Sequence, residues 1–264
     1  MIIGFVEFMN VSAVLIVKNE EDRLGDCLES LAWTAEIIVV DSGSTDNTLH
    51  IAKRYTDKVY VHNEWLGFGK QRQLAQEYAT CDWVFAIDAD EVVTPKLKES
   101  VERVVQSNNQ QLAYAVNRKN WAFGRFIHHS GWSPDWVTRL YPREKTSYCD
   151  SLVHESVLIP EWIRVEHLPK SSFLLHYTYD NLHDYNVKVA GYLQAWADQR
   201  IGKKNSSIFK GLSHGVFAFF RMYIFRLGFL DGRHGFILAF LTAYTTSLKY
   251  FDLSLRQQEN TNDG

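Results

Sequence analysis

Four short runs rich in aliphatic and β-branched residues, Ser12 to Val17, Glu36 to Val40, Lys58 to Val61 and Trp83 to Ile87, set the strongest constraint on this chain. Helical patterns separate them. Leu24, Leu28 and Leu31 recur at helical spacing after the possible cap Asn19, and the segments after Asp46 and after Lys70 also read as helices. Strands alternating with helices imply a parallel α/β sheet whose ligands lie at the carboxyl ends of the strands. That arrangement puts Lys18 to Glu20, Asp41 to Asp46 and Asp88 to Glu91 along one edge.

The last of these strand ends is the most unusual. In FAIDADEVV, Asp88, Asp90 and Glu91 crowd together after an apolar run, and neighbouring carboxylates repel unless something positive or water intervenes. Alternation along an extended chain sends Asp88 and Asp90 to one side, where two hard oxygen donors suit Mg²⁺ or Mn²⁺. The plainer alternative is a helix entrance, with Glu91 favouring the dipole of a helix that starts near Pro95. No GxGxxG follows the first strand, and Gly67-Phe-Gly69-Lys70 lacks the spacing of a P-loop. What is left is a nucleotide-type site built from carboxylates and a metal.

Composition narrows the field further. A chain of 264 residues suits one large domain, or one with an appendage, and a net charge of −3 gives no general reason to expect nucleic acid as a partner. Cys27, Cys81 and Cys149 are odd in number and far apart, which points away from disulfides and zinc and toward a reducing compartment. The opening MIIGFVEFMN lacks a basic segment and a small-residue cleavage site, so it is not read as a signal peptide and the cytosol is the default.

From Asn120 to about Val165 the pattern is irregular and rich in Trp, His, Asp and Arg, as in WAFGRFIHHSGWSPDWVTRLYPR. Loops of that length in a compact domain are usually functional. Asn181 to Ile201 reads as a helix, and two apolar segments follow, Ile208 to Leu230 and Gly235 to Tyr250, divided by LDGRHG. Lys210, Arg221 and Arg226 interrupt the first, and the second falls short of the roughly twenty apolar residues a spanning helix needs. Aromatic residues mixed with cations suggest amphipathic helices on an anionic membrane surface; a helical hairpin on the sheet domain or a dimer interface is the alternative. The polar end, Gln257 to Gly264, is expected to be disordered.

SAVLIVKNEE, EIIVVDSGSTDNT, GFGKQRQLA and DWVFAIDADE, in that order, resemble the successive motifs of the family 2 glycosyltransferases. The likeness covers roughly residues 11 to 180. With GWSPDWVTRLYPR, LVHESV and RLGFLDGRHG it is most similar to bacterial lipopolysaccharide inner-core glucosyltransferases. The resemblance implies a GT-A fold, that is, a Rossmann-like mixed sheet flanked by helices over residues 1 to 180. A helical, membrane-associating region over 181 to 256 would follow it. It also implies inverting transfer from a UDP-sugar, with glucose the expected sugar and a heptose of the lipopolysaccharide core the acceptor, at the cytoplasmic face of the inner membrane. Another lipid-linked or capsular acceptor, or a non-catalytic nucleotide-sugar-binding scaffold, stays open.

Roles follow residue by residue from the same resemblance. Lys18, Asn19, Glu20 and Asp41 would form the nucleotide edge, with Asp41 accepting a hydrogen bond from the uracil ring. Lys70 and Arg72 would lie beside the base or the phosphates. Asp88 would contact the ribose or a metal-bound water, Asp90 would ligate the divalent metal, and His176 is a candidate third ligand or a core histidine. For the base that takes the acceptor proton, Glu155 in LVHESV and Asp135 in GWSPDW are both candidates. Their plainer readings are a surface residue on an alternating strand and a turn residue after Pro134. Arg139 and Arg143 are placed to bind phosphate or to pair with acids, and Trp121, Trp132 and Trp136 offer flat faces to sugar rings or simply pack.

Overall fold

The computed structural model describes residues 9–149 and 156–262. The four expected strands form as β1 (Met9–Val17), β2 (Thr34–Asp41), β3 (Val59–Val61) and β4 (Trp83–Asp88), side by side in the order β3-β2-β1-β4 and all parallel. Between them run α1 (Leu24–Glu29), α2 (Thr48–Ala52) and α3 (Phe68–Glu77). Strand β1 is covered on both faces, which is why it reads as an unbroken apolar run. Val11, Ala13, Leu15 and Val17 pack with Leu24, Leu28 and Leu31 on one side; Val14 packs with Ala75 and Ala79 on the other.

After β4 the chain makes the short β5 (Glu91–Val93) and helix α4 (Pro95–Ser107). Thr94 caps α4, its side chain accepting from the Leu97 amide, so the helix entrance near Pro95 forms as its residues dictate. Glu91, however, does not serve that entrance. It is fully buried in β5, opposite His176 of an antiparallel neighbour. Asn19 likewise caps no helix: its backbone is left-handed, with φ 55°, and its side chain accepts from the Thr45 amide at 2.8 Å.

The stretch expected to be irregular, Asn120 to about Val165, carries short strands among its described turns. β6 (Leu112–Ala122) runs into it, β7 (Arg125–Phe126), β8 (Asp135–Pro142), β9 (Ser147–Tyr148) and β10 (Val157–Leu158) lie within it, β11 (Arg164–His167) straddles its end, and β12 (Phe173–Tyr179) follows. Strand β8 lies antiparallel to both β4 and β6, and β12 antiparallel to β5, so the sheet is mixed, in the order β3-β2-β1-β4-β8-β6-β12-β5. Helices α5 (Leu182–Asp198), α6 (Ile208–Phe220) and α7 (Arg233–Asn262) follow, and α7 continues through the polar stretch from Gln257 that composition alone would leave irregular.

Two compact units divide the chain. One comprises residues up to Arg118 together with Asp135–His176; the other comprises Lys119–Pro134 and everything from Tyr177. The loop Lys119–Pro134 thus belongs with the C-terminal helices. In that second unit, Ala122, Ile127, Met222, Leu238 and Ala239 form a core of their own. Asp231 anchors the loop there: its buried carboxylate accepts from the amides of His128 and His129 and from the Ser130 hydroxyl, at 2.9 to 3.1 Å.

Candidate active site

Strand order runs outward from β1 through β2 to β3 and then returns to β4 on the other side of β1. A crevice forms at such a reversal, outside the carboxyl ends of the strands. Beside it, at the carboxyl ends of β1 and β2, is a cleft of about 320 Å³ lined by Val17, Lys18, Glu20, Ser42, Trp65 and Phe68. Trp65 and Phe68 meet edge to face, with ring centroids 4.8 Å apart and Trp65 43% exposed. Nothing in the sequence pattern singled them out; the available signal was an aromatic pair flanking Gly67, which starts α3 with a φ of 100°.

The loops after β1 and β2 are tied to each other. The Asn19 amide donates to Ser44 Oγ at 2.8 Å, the Glu20 amide to Thr48 Oγ1 at 2.7 Å, and Glu21 accepts from the Asn47 amide at 2.9 Å. Asp41 is wholly buried where they meet. Its Oδ1 accepts from the amides of Gly43 and Ser44, both at 2.9 Å, a turn that Gly43 permits by adopting a φ of 86°. Its Oδ2 is buried and has no hydrogen-bond partner among the described residues. A buried carboxylate oxygen left unpaired is costly, and it is a ready acceptor for a ligand N–H.

The acidic cluster resolves into pairs. Asp88 is held by the guanidiniums of both Arg72 and Arg139, and Arg139 also donates to Glu91 at 2.5 Å. Arg118 reaches Glu91 at 3.4 Å and Asp135 at 2.9 Å. Three guanidiniums thus face three carboxylates. Burial alone would push the Asp88 carboxyl up, but the charges of Arg139 and Arg72 outweigh it and hold the group well below the usual carboxylate range. Arg72 is itself buried, lies over the Tyr148 ring at 5.4 Å, and is turned inward, whereas Lys70 is exposed. Of the two arginines weighed for phosphate, Arg139 pairs with acids, and Arg143 donates to the Cys81 carbonyl at 2.8 Å.

Asp90 is set against a histidine. Its Oδ2 lies 3.6 Å from His176 Nε2, both side chains being slightly exposed. Among the described residues there is no cluster of three or more His, Cys, Asp or Glu fit to hold a metal. Asp90 and His176 do suit a cation that takes its remaining ligands from phosphate and water, as Mg²⁺ commonly does, while the arginines occupy both oxygens of Asp88.

On the acceptor side, Asp135 opens β8 and pairs with Arg118, its amide donating to Asn117 at 3.1 Å. Glu155 lies outside the described residues. Trp136 stacks on His167, with centroids 4.2 Å apart. Trp121 packs on Phe126 and Tyr177, and Trp132 on Tyr179; both lie in the C-terminal unit, Trp132 against its core, and Trp136 lies in the sheet unit.

Comparison with known proteins shows the family of this chain. The model of Glycosyl transferase family 2 matches residues 12–200. The lipopolysaccharide core biosynthesis glycosyltransferase LpsC of Rhizobium meliloti (strain 1021) is 32% identical over 251 residues, which cover 88% of this chain and 90% of LpsC. An uncharacterised glycosyltransferase of Rickettsia conorii is 29% identical over 257 residues, 90% of this chain and 88% of its own. Among solved structures, S. aureus TarS 1–349 in complex with UDP-GlcNAc superposes with a TM-score of 0.50 at 16% identity, covering 97% of this chain and 92% of that one.

Proposed function

The chain belongs to the family 2 glycosyltransferases, and from that premise we propose an inverting, metal-dependent transfer of glucose from UDP-glucose to a heptose of the lipopolysaccharide inner core. The observation that carries the donor half is the unpaired, buried Oδ2 of Asp41 beside a cleft walled by Trp65 and Phe68. An aromatic wall and one unsatisfied acceptor suit a flat base that presents an N–H, as uracil does. Lys18 and Lys70, both exposed, supply positive charge for the diphosphate. The lipopolysaccharide acceptor is supported by the name and extent of the similarity to LpsC; glucose and heptose extend that reading.

Inversion requires a single displacement: the acceptor oxygen bonds to the anomeric carbon as the bond to the UDP oxygen breaks, and a base takes the hydroxyl proton. Glu155 is our choice of base, with Asp135 as the alternative. Asp90 and His176 would hold the divalent ion, which supplies neutralising charge for the departing diphosphate. Arg72 and Arg139 fix Asp88, and with it the turn that carries Asp90.

Purified protein incubated with a panel of UDP-sugars and truncated lipopolysaccharide acceptors, with UDP release followed, tests donor and acceptor together. In Asp41→Asn the affinity for UDP should fall by about tenfold or more, the value of one hydrogen bond to a charged group; unchanged affinity measured by calorimetry would remove the carboxylate from the uracil. Glu155→Gln should bind UDP normally and lose transfer by about a hundredfold or more. Retained transfer moves the base to Asp135.

A further inference from the structure

Helix α6 carries Gly211 and Gly215 one turn apart, and both lie against α7. A Cβ added at Gly211 would come within 2.5 Å of the Phe251 ring, and one at Gly215 within 2.1 Å of Ser247 Oγ and 2.9 Å of the Ala243 carbonyl. Small residues spaced in this way let two helix backbones approach closely, a device common in apolar surroundings. The small face of α6 is thereby used up, and its large side chains point the other way. Phe209 is 84% exposed, Val216 57%, Phe217 59% and Phe220 51%. The apolar surface continues through Phe225, 73% exposed in the turn after α6, to Phe240, 59% exposed on α7. A run of open aromatics of this extent is unusual on a protein that meets only water.

Charge identifies what covers it. From Gln199 to Phe251 the sequence holds eight lysines and arginines and one acid, Asp231, in a chain whose net charge is −3. That acid is 1% exposed and tied to the loop at His128–Ser130. Lys203, Lys204, Lys210, Arg221, Arg226 and Arg233 are all exposed. A second copy of the chain docking on this face through a twofold axis would bring like charges together. Nucleic acid would satisfy the cations and leave the phenylalanines without a partner. No described helix is long and apolar enough to cross a membrane.

We propose that α6, the turn that follows it and the start of α7 form a docking surface for an anionic lipid bilayer, lying flat at the headgroup level with the phenylalanines inserted and the cations on the phosphates. This inference does not rest on the donor site or on the choice of acceptor. The test is flotation of the full chain with vesicles of phosphatidylcholine alone and with vesicles that also contain phosphatidylglycerol, compared with a Phe209→Ser, Phe217→Ser, Phe225→Ser variant. Circular dichroism and UDP affinity serve as the checks of folding. The wild type should partition to the anionic vesicles at least about tenfold better than to the neutral ones, with the preference shrinking as salt is raised. The triple variant, still folded and still binding UDP, should lose that partitioning. Failure of the wild type to float, equal binding to both vesicle types, or a dimer that falls apart in the triple variant would each overturn the proposal. A folded variant that floats as well as wild type would do so too.

Discussion

Asp88, Glu91 and Asp135 bring three negative charges into a small volume, and Arg72, Arg139 and Arg118 bring three positive ones. Arg139, 4% exposed, sits at the centre, touching both Asp88 and Glu91. Removing one partner from a buried ion pair strands the others, which costs far more than the pair itself is worth. Arg139→Met should therefore destabilise the protein by about 3 to 5 kcal/mol in chemical denaturation, and adding Glu91→Gln should recover part of that loss; simple additivity of the two would show that they do not share a charge. This network also answers why FAIDADEVV tolerates its acids. The repulsion is relieved for Asp88 and Glu91 by arginines that stand 16 to 51 positions away in the chain. A local reading sees the carboxylates and has no means of seeing those partners, so it assigns the relief to a metal.

At the level of elements, β1, β2 and β4 were legible because each is a short apolar run buried between the two faces of the sheet, and the half-buried edge strand β3 because it is a short β-rich run between two helical stretches. Strand β6 was not, because its second half, Asn117-Arg118-Lys119-Asn120, is polar: those side chains serve the ion pairs and loops of a sheet whose other members lie far off in sequence. Glu36 shows how polar residues can also join strands. From β2 it accepts from Ser12 of β1, from the Thr80 amide beyond α3, and from Lys58 at the foot of β3. Burial would raise its carboxyl, but the bonds from Lys58, Ser12 and Thr80 lower it from 4.5 to about 2. A depressed carboxyl lends stability that is complete above its ordinary value and lost as the pH falls through the folded one. Glu36→Gln should accordingly cost roughly 1 to 2 kcal/mol near neutral pH, a value discounted for the half-exposed lysine. The difference from wild type should shrink below pH 4.5 and vanish near pH 2, as followed by urea melts across that range. A gap that stays constant with pH would mean that the shape of the side chain matters and its charge does not.

The whole molecule consists of two compact units with separate cores, and the residues assigned to UDP, Lys18 to Glu20, Asp41, Trp65 and Phe68, all belong to the first. A ligand stabilises only the states that retain its site, by an amount set by its concentration relative to its dissociation constant, about 2.7 kcal/mol at a hundredfold excess. Amides that exchange by opening of the first unit should then slow by about a hundredfold on saturation with UDP. Those of β1 and β2 are the natural reporters, since the orphan oxygen of Asp41 and the loops tied across Ser44 and Thr48 lie at their ends. Amides of α6 and α7 lie in the second unit, where Gly211 and Gly215 pack the two helices closely; if that unit opens on its own, UDP should hardly change them. Hydrogen exchange resolved by peptide, with and without UDP, reads both in one experiment. Equal slowing in the two units would show that they open together, and slowing confined to α6 and α7 would remove UDP from the cleft at β1 and β2.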